Sequence, residues 1–111
     1  MQRLRQRHEY EAVFAHGRTF SSRLYVVRIN PHSNFSVARL GIIAARKALP
    51  RAVDRNRGKR LVREAFRQSQ EGLAAIDVVV QLRSPLAKLD NATARNDLLG
   101  LFARISKDRN T

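Results

Sequence analysis

The chain has no cysteine among its 111 residues. Disulfides, thiol nucleophiles and cysteine-ligated zinc are therefore excluded, and a reducing compartment is permitted. It is short of acid: 9 Asp and Glu stand against 22 Lys and Arg, a formal net charge of +13. So one-sided a charge repels itself in a compact molecule, which points to nucleic acid or an anionic membrane surface as partner. No apolar run approaches the roughly 20 residues of a membrane span. The basic start Met1-Gln2-Arg3-Leu4-Arg5 is not followed by the apolar stretch of a secretory signal. A soluble cytoplasmic protein without a membrane partner is the expectation. There is no internal repeat and no low-complexity block. His8, His16 and His32 stand apart, without metal-ligand spacing, and no base lies near Ser21-Ser22 in sequence. Neither a Walker loop nor a dinucleotide fingerprint occurs. No catalytic and no metal-ligating residue is assigned.

What remains is enough to fold. Hydrophobic residues make up 43% of the chain, and its length suits one domain, residues 1–111, around one core. Tyr10, Val13 and Phe14 recur at i, i+3, i+4 and predict a short amphipathic helix over Gln6 to His16, stopped by Gly17. Arg3, Arg5 and Arg7 stand just upstream on its polar side. A strand is predicted over Leu24 to Ile29, preceded by a short one at Arg18 to Ser21, then a turn at Pro31-His32-Ser33-Asn34. Val37 to Ala45 reads as a further strand, in which Gly41 marks close packing against another element or a bulge. After Pro50 a helix is predicted from Ala52 to Gln70. Ile76, Val78, Val80 and Leu82 alternate with Asp77, Val79, Gln81 and Arg83 as a strand, ended by Ser84-Pro85. The last helix starts at the N-cap pair Asp90-Asn91 and carries Leu98, Leu101, Phe102 and Ile105 as its stripe; Lys107 to Thr111 is expected to fray. One sheet with helices packed on it, an α+β two-layer sandwich, accommodates this order.

The chemistry concentrates between Arg51 and Arg67. Arg51, Arg55, Arg57, Lys59, Arg60, Arg63 and Arg67 are opposed only by Asp54 and Glu64. On a helical wheel Leu61, Val62, Ala65 and Phe66 share one face; Asn56, Arg60, Arg63 and Arg67 share the other. Arg55 and Arg57 are placed in the first turn, against the macrodipole, where each cation costs a few tenths of a kcal/mol. A helix start with open N–H groups and several guanidinium forks suits phosphates. The alternative is a solvated basic face. Asp54 and Glu64, flanked by arginines, read as ion-pair partners rather than an acid–base pair.

Arg55-Asn56-Arg57-Gly58-Lys59-Arg60-Leu61-Val62-Arg63-Glu64-Ala65-Phe66-Arg67 resembles the Arg-Asn-Arg signature of the bacterial ribonuclease P protein family. Arg39-Leu40-Gly41 through Arg46-Lys47 is similar to that family's Arg-x-Gly strand ending in two basic residues. Ala52-Val53, Tyr10, Phe14 and Asp77-Val78-Val79-Val80 match further positions, so the resemblance spans nearly the whole chain. Gly58 stands where the family carries a β-branched residue, at about 1 kcal/mol in helix propensity. Tyr10 stands where Phe is common, Arg46 where Lys is, and Arg28 where some members carry an aromatic.

The resemblance implies the order α-β-β-β-α-β-α with a left-handed βαβ crossover through the signature helix, against the usual right-handed rule. It implies that Arg46, Lys47, Arg55, Asn56, Arg57, Lys59, Arg60, Arg63 and Arg67 face a catalytic RNA. It also implies that Tyr10, Phe14 and Arg28 meet the single-stranded 5′ leader of precursor tRNA. From the residues alone, Tyr10 and Phe14 read as ordinary core packing of an amphipathic helix. The implied activity is endonucleolytic removal of the leader by the ribonucleoprotein, with catalysis by the RNA and Mg²⁺ bound mainly by RNA phosphates. A monomer in a 1:1 complex with that RNA is expected. The competing readings are a structural ribosomal protein, a helix-turn-helix DNA binder using the Arg55–Arg67 helix, and a self-sufficient nuclease. The second lacks a preceding helix in the pattern, and the third lacks a carboxylate or histidine cluster.

Overall fold

A computed structural model describes residues 2–31, 37–73 and 75–109. Among them, β1 (Gln2–Arg3), β2 (Arg18–Ser21), β3 (Tyr25–Asn30), β4 (Arg39–Ile43) and β5 (Asp77–Leu82) form one sheet in the order β1-β4-β5-β3-β2. Three helices accompany it: α1 (Arg7–His16), α2 (Ala52–Ser69) and α3 (Asn91–Arg109). Short 3₁₀ turns follow α2 at Gln70–Leu73 and β5 at Ser84–Lys88. β2, β3 and β5 run antiparallel, whereas β4 pairs parallel with both β1 and β5. The segment β4-α2-β5 is thus a parallel βαβ unit with the signature helix as its connection.

The order read from the sequence is the order observed, with the two-residue β1 added in front. Alternation along β5 builds the molecule. Val78, Val80 and Leu82 enter a large core with Leu61, Val62, Ala65 and Phe66 of α2 and Leu98, Leu101, Phe102 and Ile105 of α3. Phe66 and Phe102 meet edge to face at 6.2 Å. Val79, pointing the other way, joins Leu4, Val13, Tyr10 and Ile43 in a small core under α1. The sheet with α2 and α3 makes the two expected layers, and α1 covers part of the opposite face.

Several boundaries shift. The strand expected over Val37 to Ala45 is confined to Arg39–Ile43, because the chain turns at Ala45, whose carbonyl accepts the Ala48 and Leu49 N–H groups. Lys107 and Asp108 do not fray: α3 runs to Arg109, and Asp108 ion-pairs with Arg18. At the start of α3 Asp90 is the cap, its carboxylate accepting the Thr93 N–H; the Thr93 side chain, followed by that N–H, holds the carboxyl below its ordinary range. His32, Ser33 and Asn34 of the expected turn lie outside the described residues.

Candidate nucleic-acid interface

The basic face of α2 follows from its packing. Gly58, Leu61, Val62, Ala65 and Phe66 are buried against the sheet and α3, so Asn56, Arg60 and Arg67 are turned outward and exposed, with Arg63 half-buried beside them. Arg46 and Lys47 are exposed in the turn ahead of the helix. Upstream of α2 lie only β4 and this turn, not a helix, so α2 is not the second helix of a helix-turn-helix pair. Glu64 is engaged by Arg95 of α3 at 3.1 Å and by Arg60 at 4.0 Å, the ion-pair role read from the sequence.

Arg55 and Arg57 do different work from their neighbours. Arg55 closes the first turn rather than opening it, and its Nη1 donates back to the carbonyls of Leu49 and Pro50 at 2.9 and 2.8 Å. Arg57 lies in the second turn, not the first. Its Nε donates to Asn91 Oδ1 at 2.6 Å, its Nη1 to Leu86 O at 3.0 Å, and its Nη2 to Leu89 O. One side chain therefore fastens α2 to the Ser84–Lys88 turn and to the first residue of α3. All the acceptors are neutral, so both guanidinium groups keep their charge, whereas a carboxylate partner would cancel it.

On the opposite face α1 is fixed by Glu9. One carboxylate oxygen accepts the backbone N–H groups of Arg5 and Gln6, both at 2.9 Å, and the other receives Arg39 Nη1. Those two backbone bonds, with Arg39 adding to them, hold the Glu9 carboxyl down at about 2. Arg39 also makes a two-pronged pair with Asp77, Nε to Oδ1 at 2.8 Å and Nη2 to Oδ2 at 2.6 Å, across directly paired positions of β4 and β5. Both carboxylates raise the already high Arg39 pKa, Asp77 most. A buried arginine between two acids is satisfied, and removing it would leave two carboxylates without their cation.

The next residue along, Tyr10, lays its ring on Gly41: a Cβ there would sit 2.6 Å from Tyr10 Cε1. Close packing, not a bulge, is what this glycine marks. Val13 is the fully buried residue of the α1 stripe, while Phe14 is 48% exposed. The core reading therefore holds in part for Tyr10, half-buried against Leu4, Val13 and Val79, and fails for Phe14. The Arg28 guanidinium stands over the Phe14 ring at 5.1 Å and donates to Gln81 Oε1 at 2.8 Å. Tyr10, Phe14 and Arg28 thus share one face of the sheet. A cleft of about 220 Å³, lined by Arg3, Tyr10, Gly41, Lys59 and Arg63 among others, brings the α2 cations around the β4 edge to the Tyr10 ring. Basic side chains converging on an aromatic face are the usual means of holding single-stranded RNA.

Comparison with known proteins shows the family. The ribonuclease P family model matches residues 1–106. The chain belongs to the ribonuclease P protein family. Relatives named ribonuclease P protein component include that of Chromohalobacter salexigens, 40% identical over 96% of this chain and 84% of that one. That of Aromatoleum aromaticum is 39% identical over 92% and 85%. Among solved structures, the Staphylococcus aureus RNase P protein superposes with a TM-score of 0.86 at 26% identity, covering 95% of both chains. The Thermotoga maritima RNase P protein gives 0.80 at 33% identity, covering 94% and 97%.

Membership in the ribonuclease P family makes the ribonuclease P RNA the partner and the holoenzyme activity the one this chain serves. Within that family frame, Glu9, Asp77 and the pairing role of Arg39 went unread in the sequence. The available signal was two opposite charges, Arg39 and Asp77, each opening a largely apolar strand. No helix among the described residues is long and apolar enough to cross a membrane.

Proposed function

We propose that the chain, as one copy per catalytic RNA in the cytoplasm, docks on ribonuclease P RNA through Arg46, Lys47, Asn56, Lys59, Arg60, Arg63 and Arg67. Arg55 and Arg57 shape that surface and add fixed positive charge. The face between α1 and the sheet, with Tyr10, Phe14 and Arg28, receives the single-stranded 5′ leader of precursor tRNA. The observation that carries this reading is the exposed Phe14 ring under Arg28, on the same face as Tyr10 and joined to the α2 cations by the cleft at Lys59 and Arg63.

Bond cleavage is assigned to the RNA. The more buried acids of this chain are engaged: Glu9 and Asp77 by Arg39, Glu64 by Arg95, Asp97 by the Ser22 hydroxyl. Among the described residues no three His, Asp or Glu side chains gather. This donor set does not suit Mg²⁺, which we assign to RNA phosphates, where it stabilises charge and activates water. The protein lowers repulsion between two polyanions and adds leader contacts.

Cleavage of a precursor tRNA by a bacterial ribonuclease P RNA at low Mg²⁺, with and without the protein, tests the reading. Stimulation, with tighter binding of longer leaders, is the expected result. RNA binding without stimulation would move the chain to the structural ribosomal reading, and cleavage without the RNA would mean a protein active site.

A further inference from the structure

We propose that the leader path continues past Phe14 and Arg28 over the outer edge of β2, where Phe20, Arg18, Arg104 and Lys107 form a further subsite for upstream single-stranded RNA. The inference rests on the leader-binding reading above and extends it.

The direction comes from the sheet order. The Tyr10 ring lies on Gly41 of β4, and the Phe14 ring lies under Arg28 of β3. Across the order β4-β5-β3-β2, the α1 aromatics step from β4 toward β2. Thr19 of β2 is the direct partner of Arg28, so the β2 backbone lies one strand spacing, about 4.8 Å, beyond that of Arg28. Arg18 and Phe20, paired with Ile29 and Val27, point to the α3 face, so the path turns around this edge. Among the described residues no strand pairs with the outer side of β2.

The chemistry at that edge suits the same ligand. Arg18 and Arg104 stand 5.6 and 5.8 Å from the centre of the half-buried Phe20 ring. An aromatic ring orients a guanidinium without cancelling its charge. Arg104 and Lys107, three residues apart on one face of α3, make no ion pair among the described residues. Asp108 opposes them but is engaged by Arg18, which leaves a net of +2 from Arg18, Arg104 and Lys107 against Asp108. A cleft of about 320 Å³ opens between Phe20, Arg104, Lys107 and Asp108. Oriented guanidinium planes present a stacking surface for bases and N–H groups for phosphates, and the ammonium adds a further phosphate contact. Covering of Phe20 and protection of an edge strand by charge explain Arg18. Arg104 shares in covering Phe20, but neither role explains Lys107 beside it, which makes no ion pair among the described residues.

The experiment uses the reconstituted holoenzyme and a series of precursor tRNAs whose leaders lengthen one nucleotide at a time. Dissociation constants are compared for the unaltered protein, Arg104→Gln/Lys107→Gln and Phe14→Ala. The double variant should match the unaltered protein on short leaders and then stop gaining affinity, ending about fivefold weaker on the longest, the low end for one lost stacked base. Lys107→Gln alone, which leaves the cover of Phe20 intact, should show a smaller loss at the same lengths. Phe14→Ala should weaken binding from the short leaders onward. If Phe14→Ala acts while both α3 variants track the unaltered protein at every length, or lose affinity equally at all lengths, the subsite is wrong and the cleft reading stands. If Phe14→Ala has no effect at any length, the leader-binding reading itself falls. Capture of an acidic extended peptide on β2, with no RNA dependence at Lys107, would also overturn the proposal.

Discussion

Two glycines show how differently the same residue can be used. At Gly41 an added Cβ would fall 2.6 to 2.7 Å from Tyr10 ring atoms, and a ring seated on the sheet has nowhere to swing. Gly41→Ala should destabilise the protein by about 1–3 kcal/mol, the usual range for overpacking. By displacing Tyr10 it should also weaken binding of leader-bearing substrate while leaving affinity for the catalytic RNA alone. Urea melts and parallel binding assays with both RNAs check this. Gly58 is also buried, but its Cβ would meet the methyl ends of Leu82 and Leu86, at 2.6 and 3.0 Å. Those two leucines fill the room that a β-branched residue would take. Alanine recovers about 1 kcal/mol of helix propensity and displaces only flexible ends. Gly58→Ala should therefore change the urea midpoint little in either direction, and a loss above about 2 kcal/mol would mean that the leucines cannot move. The sequence offered both glycines as anomalies, yet the atoms they accommodate lie 31 residues from Gly41 and 24 and 28 residues from Gly58 along the chain.

Elements are held in register by single charged side chains. Glu9 caps α1 and ties it to the sheet through Arg39. Its carboxyl sits at about 2 in the folded protein against 4.5 as its ordinary value. A folded pKa below the unfolded one means that the stabilisation is complete above about 4.5 and is lost as pH falls toward about 2. Glu9→Gln should thus lower the melting temperature near neutral pH, and the gap from the unaltered protein should close between those two values. A constant gap across the range would remove Glu9 ionisation from the anchoring of α1. Arg57 acts likewise between α2, the Ser84–Lys88 turn and α3. Losing a guanidinium that serves three acceptors should cost roughly 2–4 kcal/mol, and Arg57→Lys should not restore it, since a point ammonium cannot match the fork. For RNA binding the contrast is with Arg60, exposed on the outer face. Arg60→Ala should flatten the salt dependence by about 0.7–0.9 in log–log slope per lost phosphate contact. Arg57→Ala, measured where it is still folded, removes fixed charge but no outward phosphate contact, so it should flatten that slope less than Arg60→Ala does. The helices were legible because period and caps are local: α2 begins at Ala52 and α3 behind Asp90 as the pattern requires. The two-residue β1 has no period to read. The Arg57 clamp joins positions about 30 residues apart, so no local pattern announces it.

For the whole molecule the charge excess sets the terms. The net +13 is not spread evenly over function: Arg39 is buried between Glu9 and Asp77, and Arg95 is matched by Glu64. Arg55 and Arg57, bonded to neutral oxygens, and the outward cations of α2 keep their full charge on one side. Only the overall sign of this field could be read from composition; which arginines are cancelled depends on contacts made in the fold. A field of one sign works against the compact chain and for its complex, and both effects are screened over about 8–10 Å near physiological salt. Added salt should therefore act in opposite directions on two properties of the same protein. The melting temperature of the free protein should rise as NaCl increases from low ionic strength, because intramolecular repulsion is screened. Affinity for ribonuclease P RNA should fall over the same range, with a log–log slope set by the number of phosphates contacted. Thermal melts of the free protein and filter binding of the complex, taken in one salt series, measure both. A melting temperature that falls with salt would mean that the ion pairs at Arg39, Arg95 and Arg18 outweigh the repulsion among the α2 cations, and the charge excess would then need another explanation than RNA.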